Sequence, residues 1–383
     1  VTASVTAVVL THRSAGSGVD AASVSFESPT GTPASSSNQT TEVTPTTPGS
    51  STADAKTAAA KAAATLATTS TKAAATTTAA TPSDAAMAGM PGMPMVAPKP
   101  GKWVSVDPVQ QAKDTKAFFA SKPDPITGNP VGVPEFNAQC DLKPHHGSND
   151  PIVFPGQPGV SHNHTFLGNT STNATSTLKS LLAHKASSCQ PKQDHSAYWI
   201  PTLYVNNKTV DPVSTTVYYG SSLSNHAKVQ PFPQGLRMVV GNATNQLRSG
   251  GVGHEFYCQG ADHVLTAGGF PTCATSSKNQ MLFDLVFPEC WDGKHLDSPD
   301  HKSHMAYGIA GGKCDAAHPV QVPSLHFVIH YPGGLDVKHA RLASGNAYSM
   351  HGDFFNAWEK PALAKRVRNC IDQSVKCNTA GKY

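Results

Sequence analysis

Charge is what this sequence has least of. Asp, Glu, Lys and Arg make up 14% of its 383 residues and the net charge is only +4, against roughly 25% charged residues in an ordinary soluble domain. That excludes the basic field a nucleic-acid binder needs. Large apolar side chains are also sparse, with 38% of residues hydrophobic and 7% aromatic, while 31 Gly and 30 Pro break up what remains. Much of the chain therefore cannot be core, and no apolar run reaches the ~18 residues of a membrane span. There is no G-x-x-x-x-G-K-[ST], no H-E-x-x-H, no G-x-S-x-G and no strand-linked G-x-G-x-x-G, so no nucleotide cofactor is expected. Cysteine is absent before position 140. The eight that follow, Cys140, Cys189, Cys258, Cys273, Cys290, Cys314, Cys370 and Cys377, include no C-x-x-C pair. A zinc–thiolate site would want such close pairs; an even number at wide spacing reads instead as four disulfides formed in an oxidising compartment. The short loops Cys258 to Cys273 and Cys290 to Cys314 are the favoured bridges. Six N-x-[ST] sequons, at Asn38, Asn163, Asn169, Asn173, Asn207 and Asn242, are compatible with secretion.

Three stretches differ in composition. Residues 1–27 open on Val1 and read as the remnant of a signal peptide or a membrane anchor, the only route by which a membrane enters this reading. Residues 28–102 are Ser, Thr, Ala, Pro and Gly with almost no large apolar side chain, and cannot bury enough surface to offset the entropy of ordering. A disordered linker or stalk is expected there. It contains Met87, Met90, Met93 and Met95 in one short patch, thioethers that suit Cu(I) but that read more simply as part of the linker. Folded structure is expected from Trp103 to the end, residues 103–383. Asp107 before Pro108 is a helix N-cap with proline in the first turn. After Phe136, short apolar runs such as AYWIPTLYV, STTVYYG, NQMLFDLVF and SLHFVIHYP alternate with Gly, Pro, Asn and Ser clusters. This predicts a mostly β, disulfide-stabilised domain of sandwich or jelly-roll type with peripheral helices. Leu363, Val367, Ile371 and Val375 recur every four residues and predict a terminal amphipathic helix.

Seventeen of the 18 histidines lie between His145 and His351, a crowding that β folding does not require. Three patterns concentrate polar chemistry. In His162-Asn163-His164, strand alternation puts both imidazoles on one face. The stretch from Cys290 to Tyr307 gathers Asp292, Asp297, Asp300, His295, His301 and His304 among turn residues. His351-Gly352-Asp353 sets an imidazole and a carboxylate two apart. A carboxylate pair of glycosidase type can be drawn from Asp292, Asp297, Asp300 and Asp353. By contrast, His326 and His330 alternate with Leu325, Phe327, Ile329 and Tyr331 and are expected on a solvent face. His145 and His146, in a Pro/Gly/Ser/Asn loop, are expected at the surface.

The strings DPIVFPGQPGVSHNHTFLGN, SAYWIPTLY, PFPQGLRMVVGNA, FPECWDGKHLDSPDHKSHMAY, HPVQVPSL and SMHGDFFNAW, in that order, resemble the secreted domain-of-unknown-function family nineteen ninety-six of fungi and actinobacteria. The resemblance covers about residues 150–370 and leaves out the stalk. It implies an extracellular protein, often joined to carbohydrate-binding or cell-wall modules, with no established activity. His162, His164, Trp199, Trp291, Asp297, Asp300, His301, His304, His351, Asp353 and Trp358 stand at its motif positions.

The expectation that follows is a secreted or surface-attached domain whose His/Asp cluster binds a divalent metal or copper ion and acts on cell-wall or plant polysaccharide. His162, His164, His304 and His351 are the expected ligands, with Asp353 or Asp300 as the accompanying carboxylate or general base. Tyr198, Trp199 and Trp358 offer ring faces for sugars. The contrasting expectation is a non-catalytic surface protein that binds glycan or metal.

Overall fold

A computed structural model describes residues 99–126, 128–140, 144–247, 256–260, 265–276 and 278–382. The expected remnant, residues 28–98 of the expected stalk and the methionine patch lie outside the described residues, whereas residues 99–102 are described and Gly101 N donates to the Pro299 carbonyl.

The alternating apolar runs build two large antiparallel sheets, beside three small ones of two or three strands among the described residues. One has five strands in the order 237–241, 351–355, 197–201, 164–168, 145–147; the other has six, in the order 256–258, 281–286, 324–331, 214–220, 135–140, 189–190. They stack face to face. Leu167, Tyr198, Ile200, Met238, Val240 and Phe354 from the first meet Phe136, Val217, Tyr219, Phe283, Leu285 and Phe327 from the second in one core. Tyr198 and Phe327 rings lie 5.7 Å apart, an edge-to-face distance for aromatic pairs. At Gly352 the sheets leave no room for a side chain: a Cβ there would stand 2.2 Å from Leu285 Cδ2, so the strand carrying His351 packs closely only because a glycine stands next to it.

The five-stranded sheet is buried on its other face too. Phe166, Ala197, Trp199 and Phe355 pack there with Ile152, Ala357 and Leu181, the last contributed by the short helix α2, Leu178–Ala183. This second layer corrects the expectation for the aromatics. Tyr198 and Trp199 are 0% exposed and Trp358 1%, so none offers a ring face to a sugar. The Tyr198 hydroxyl bonds Asp194 and Tyr219, and Trp358 Nε1 donates to the Tyr219 hydroxyl. His326 and His330 are corrected likewise. They share a face with Val328 as alternation requires, yet all three are buried, because the 324–331 strand is central and its neighbours' side chains lie over them. Asp284 is 3.5 Å from His326 Nε2, and Gln280 Oε1 is 2.8 Å from His330 Nδ1. His145 is half-buried, stacked on Phe166, whereas His146 is exposed.

The first helix is α1, Pro108–Ala120, where the Asp107 side chain accepts from the backbone N–H groups of Val109 and Gln110. The last is α3, Lys360–Arg366, which passes into a single π turn over Val367–Ile371 and stops there. The predicted periodicity to Val375 thus overshoots the helix. Ser374 takes a positive φ of 58° and turns the chain back, and Cys377 comes within 5.8 Å (Cα–Cα) of Cys370 to form a disulfide. A continuous helix would hold that pair about 10 Å apart. The other bridges are Cys140–Cys189, Cys258–Cys273 and Cys290–Cys314, the last two as expected from their short loops.

Candidate metal centre

Sheet register brings the histidines together. His164 opens its strand opposite Pro201. Asp353 pairs with Trp199 two residues back along the same central strand, so His351 lies level with Pro201 on the far side. Two strands apart and on one face, the two rings close over Pro201, with Nε2 atoms 3.4 Å apart. His162 precedes the strand by two residues and follows the alternation: its Nε2 is 3.0 Å from that of His351, and its ring centroid 4.3 Å from that of His164. One ligand atom from each of the three lies within 4.8 Å of the others.

The backbone decides which nitrogens face inward. His164 Nδ1 donates to the Asn149 carbonyl and His351 Nδ1 to the Ser349 carbonyl, each at 2.9 Å. A carbonyl only accepts, so both rings carry their proton on Nδ1 and present a bare Nε2, the form in which imidazole binds metal. Burial, the neighbouring His351 and, for His351, Lys302 oppose protonation. The His164 pKa falls to about 3 and that of His351 to about 4. His162 is held well below its ordinary value by burial and by the other two rings. Three neutral imidazoles with converging lone pairs could hold a metal ion.

The expected fourth ligand is not there. His304 is wholly buried with both nitrogens engaged, Nδ1 with Ser298 Oγ at 2.8 Å and Nε2 donating to the Arg237 carbonyl at 2.7 Å. Helical or loop spacing in DSPDHKSH could not reveal this, since Arg237 comes from a strand sixty-odd positions earlier in the chain. Beside His162 and His351 the site opens into a cavity of about 460 Å³, which Asp150, Asp300, His301, Lys302 and Asp353 also line. That volume is within the range of sites that enclose a small ligand.

Its carboxylates are not alike. Asp300 closes a turn: although burial works against it, hydrogen bonds from Ser303, Ser298 and the Lys302 backbone hold it well below the ordinary range. It is therefore a structural cap and not a free base. Asp150 accepts from the N–H groups of Ile152 and Val153, and burial raises it to about 6. Asp353 is 0% exposed, and neither of its oxygens has a hydrogen-bond partner. Burial, then the nearby Asp150, push its pKa well up, against the pull of Lys302. Such an orphaned carboxyl is costly and rare in a folded protein.

One arrangement was not foreseen in the sequence as a pair. His301 Nδ1 donates to Asp297 Oδ1 at 2.8 Å, and Arg237 Nη1 stands 3.3 Å from Asp297 Oδ2. Their spacing of four was a signal, obscured because DSPDH is not helical. His301 instead has φ +58°, a region that non-glycine residues rarely occupy.

Comparison with known proteins adds one finding. No curated protein and no solved structure matches the chain. The family described as Domain of unknown function (DUF1996) matches residues 150–358, a span that holds all three converging histidines and more than half the chain, and the chain belongs to that family.

Proposed function

We propose that this is an extracellular metal-dependent hydrolase acting on cell-wall or plant polysaccharide, with a divalent ion of the zinc class held by His162, His164 and His351. The observation that carries the reading is the convergence of three Nε2 lone pairs, two of them fixed by Nδ1 bonds to the Asn149 and Ser349 carbonyls. Imidazole suits zinc and copper alike. Three protein ligands, two of which line the cavity, would leave a coordination position for water, as in catalytic rather than structural zinc sites, and a metal so placed would supply an activated water at neutral pH. The chain's own groups then have separate tasks. The two carbonyls fix ring orientation, Asp353 would offer a buried carboxyl on the wall of the same cavity, and the cavity would admit a sugar unit. Four disulfides among the described residues fit an oxidising compartment, which agrees with secretion.

The test is metal analysis of the native protein followed by zinc and copper titration. One ion per chain is expected, with affinity lowered more than about 100-fold in His164→Ala and His351→Ala, since even removal of an outer partner costs 10–100-fold. A polysaccharide panel run with and without chelator then separates enzyme from binder. Wild-type uptake matched by both variants would end the proposal.

A further inference from the structure

We propose that the bond this centre hydrolyses is an acyl ester or amide on a substituted polysaccharide, and that His301, held by Asp297, is the group that protonates the departing oxygen or nitrogen. The inference rests on the metal reading above and goes beyond it in naming the bond.

A glycosidic bond is cleaved between two working carboxyl groups. The cavity has three aspartates. Asp300 is committed to the N–H groups of Lys302 and Ser303, whereas Asp150 gives only Oδ1 to those of Ile152 and Val153. Outside the cavity, Asp292 is taken up by His295 and by the N–H groups of Lys294 and His295. That leaves Asp150 and Asp353 in the cavity, but a two-carboxyl mechanism has no use for the three imidazoles that converge beside them. Metal-activated water instead attacks a polarised carbonyl carbon, which in a polysaccharide belongs to an acyl substituent.

Such a reaction also needs a proton donor for the leaving group, and His301 is built as one. Asp297 is 3% exposed and takes the Nδ1 proton of His301 at 2.8 Å, while Arg237 holds its other oxygen. The ring is thereby oriented with Nε2 as its working atom. That nitrogen has no hydrogen-bond partner among the described residues; Gly101 packs on the Cε1–Nε2 edge of the ring, where a Cβ would lie 3.3 Å from Nε2, and His301 lines the same cavity as His162 and His351. The backbone at His301 is held in a strained conformation, φ +58°, and such strain persists where the surroundings over-determine it, commonly at functional sites. An aspartate that orients a histidine for proton transfer is a general device of hydrolytic sites.

The step balances without any oxidant. Water oxygen bonds to the carbonyl carbon and the acyl C–O or C–N bond breaks. His301 passes its Nε2 proton to the leaving atom and recovers one from the attacking water. One water is consumed, and a carboxylic acid and a hydroxyl or amine are formed.

The zinc-loaded full chain is incubated with acetylated xylan and, separately, with an N-acetylglucosamine tetramer, and released acetate is measured; the two substrates distinguish ester from amide. His301→Gly suits the positive φ, so zinc content should be unchanged, while acetate release should fall by about 100-fold or more, the usual contribution of a proton-transfer group. Added imidazole, at concentrations that leave zinc content unchanged, should restore part of the rate by entering the space left. His301→Asn, also tolerant of this backbone, should lose the rate without rescue. Zinc-bound wild type that releases no acetate from either substrate overturns the inference and leaves the metal reading standing. An unchanged rate in His301→Gly, or a loss that imidazole does not relieve, overturns the role of His301. Wild type that takes up no zinc removes the metal reading and this inference together.

Discussion

At the scale of single residues, the site depends on how closely neighbouring backbones approach. Gly241 pairs with His351 across the strands, and its φ is +85°. A Cβ there would lie 2.4 Å from the Met350 carbonyl oxygen and 2.7 Å from His351 Cα. Both atoms are backbone and cannot swing aside. Gly241→Ala is therefore expected to destabilise the protein by about 1–3 kcal/mol and to weaken zinc binding, read from urea unfolding and zinc titration. Wild-type zinc affinity in that variant would show that the His351 backbone has room to move. The three converging histidines themselves were legible. H-x-H in a strand puts two imidazoles on one side, and HGD carries the third two residues from a carboxyl. His304 was not separable from them, because what engages it is a serine in its own loop and a carbonyl from a remote strand. The ring faces of Tyr198, Trp199 and Trp358 were misjudged for a related reason: a strand buried on both faces has no polar alternation to warn of it.

The strands and their class followed from short apolar runs between turn residues, and α1 from its Asp-Pro start. The end of α3 did not, because a spacing of four continues through residues that the fold places beyond the π turn. Disulfides offer a test at this scale, since the two bridges left unassigned by sequence close loops of very different length. Cys140–Cys189 spans 49 positions and Cys370–Cys377 spans 7. If a bridge acts mainly by restricting the unfolded chain, they contribute about 4 and about 2 kcal/mol respectively. Replacing each pair by alanine and comparing urea midpoints should show the larger loss for Cys140–Cys189. The buried alanines replace the same atoms in both variants, so the difference isolates loop length. Equal losses, or the reverse order, would place the stabilisation in native packing.

Across the whole molecule, the stacking of two sheets under a further apolar layer governs how the histidines titrate. Desolvation leads the causes at all three rings, bringing His164 to about 3, His351 to about 4 and His162 well below its ordinary value. A lowered pKa leaves an imidazole neutral and ready to bind at pH values where an exposed one is charged. Protons compete with metal only below the folded-state pKa. Zinc affinity should therefore stay nearly constant from pH 7 to pH 5 and fall only as the pH approaches 4. Exposed imidazoles of pKa about 6.5 would each lose about 30-fold by pH 5. Stability is a poorer readout of the same burial. In the metal-free protein these histidines contribute stability above pH 6.5 that is lost as pH falls toward 4, because the unfolded chain takes up the protons. Asp150 and Asp194, both raised to about 6 by burial, act in the opposite sense, favouring the folded state below 3.8 and losing that contribution as pH rises to 6. The two effects overlap, so competition against a chelator, corrected for the chelator's own protonation, is the measurement of choice at pH 5, 6 and 7. Affinity that drops tenfold or more per pH unit across that range would mean that the three rings are hydrated in solution, and the buried centre described here would not be the one that binds.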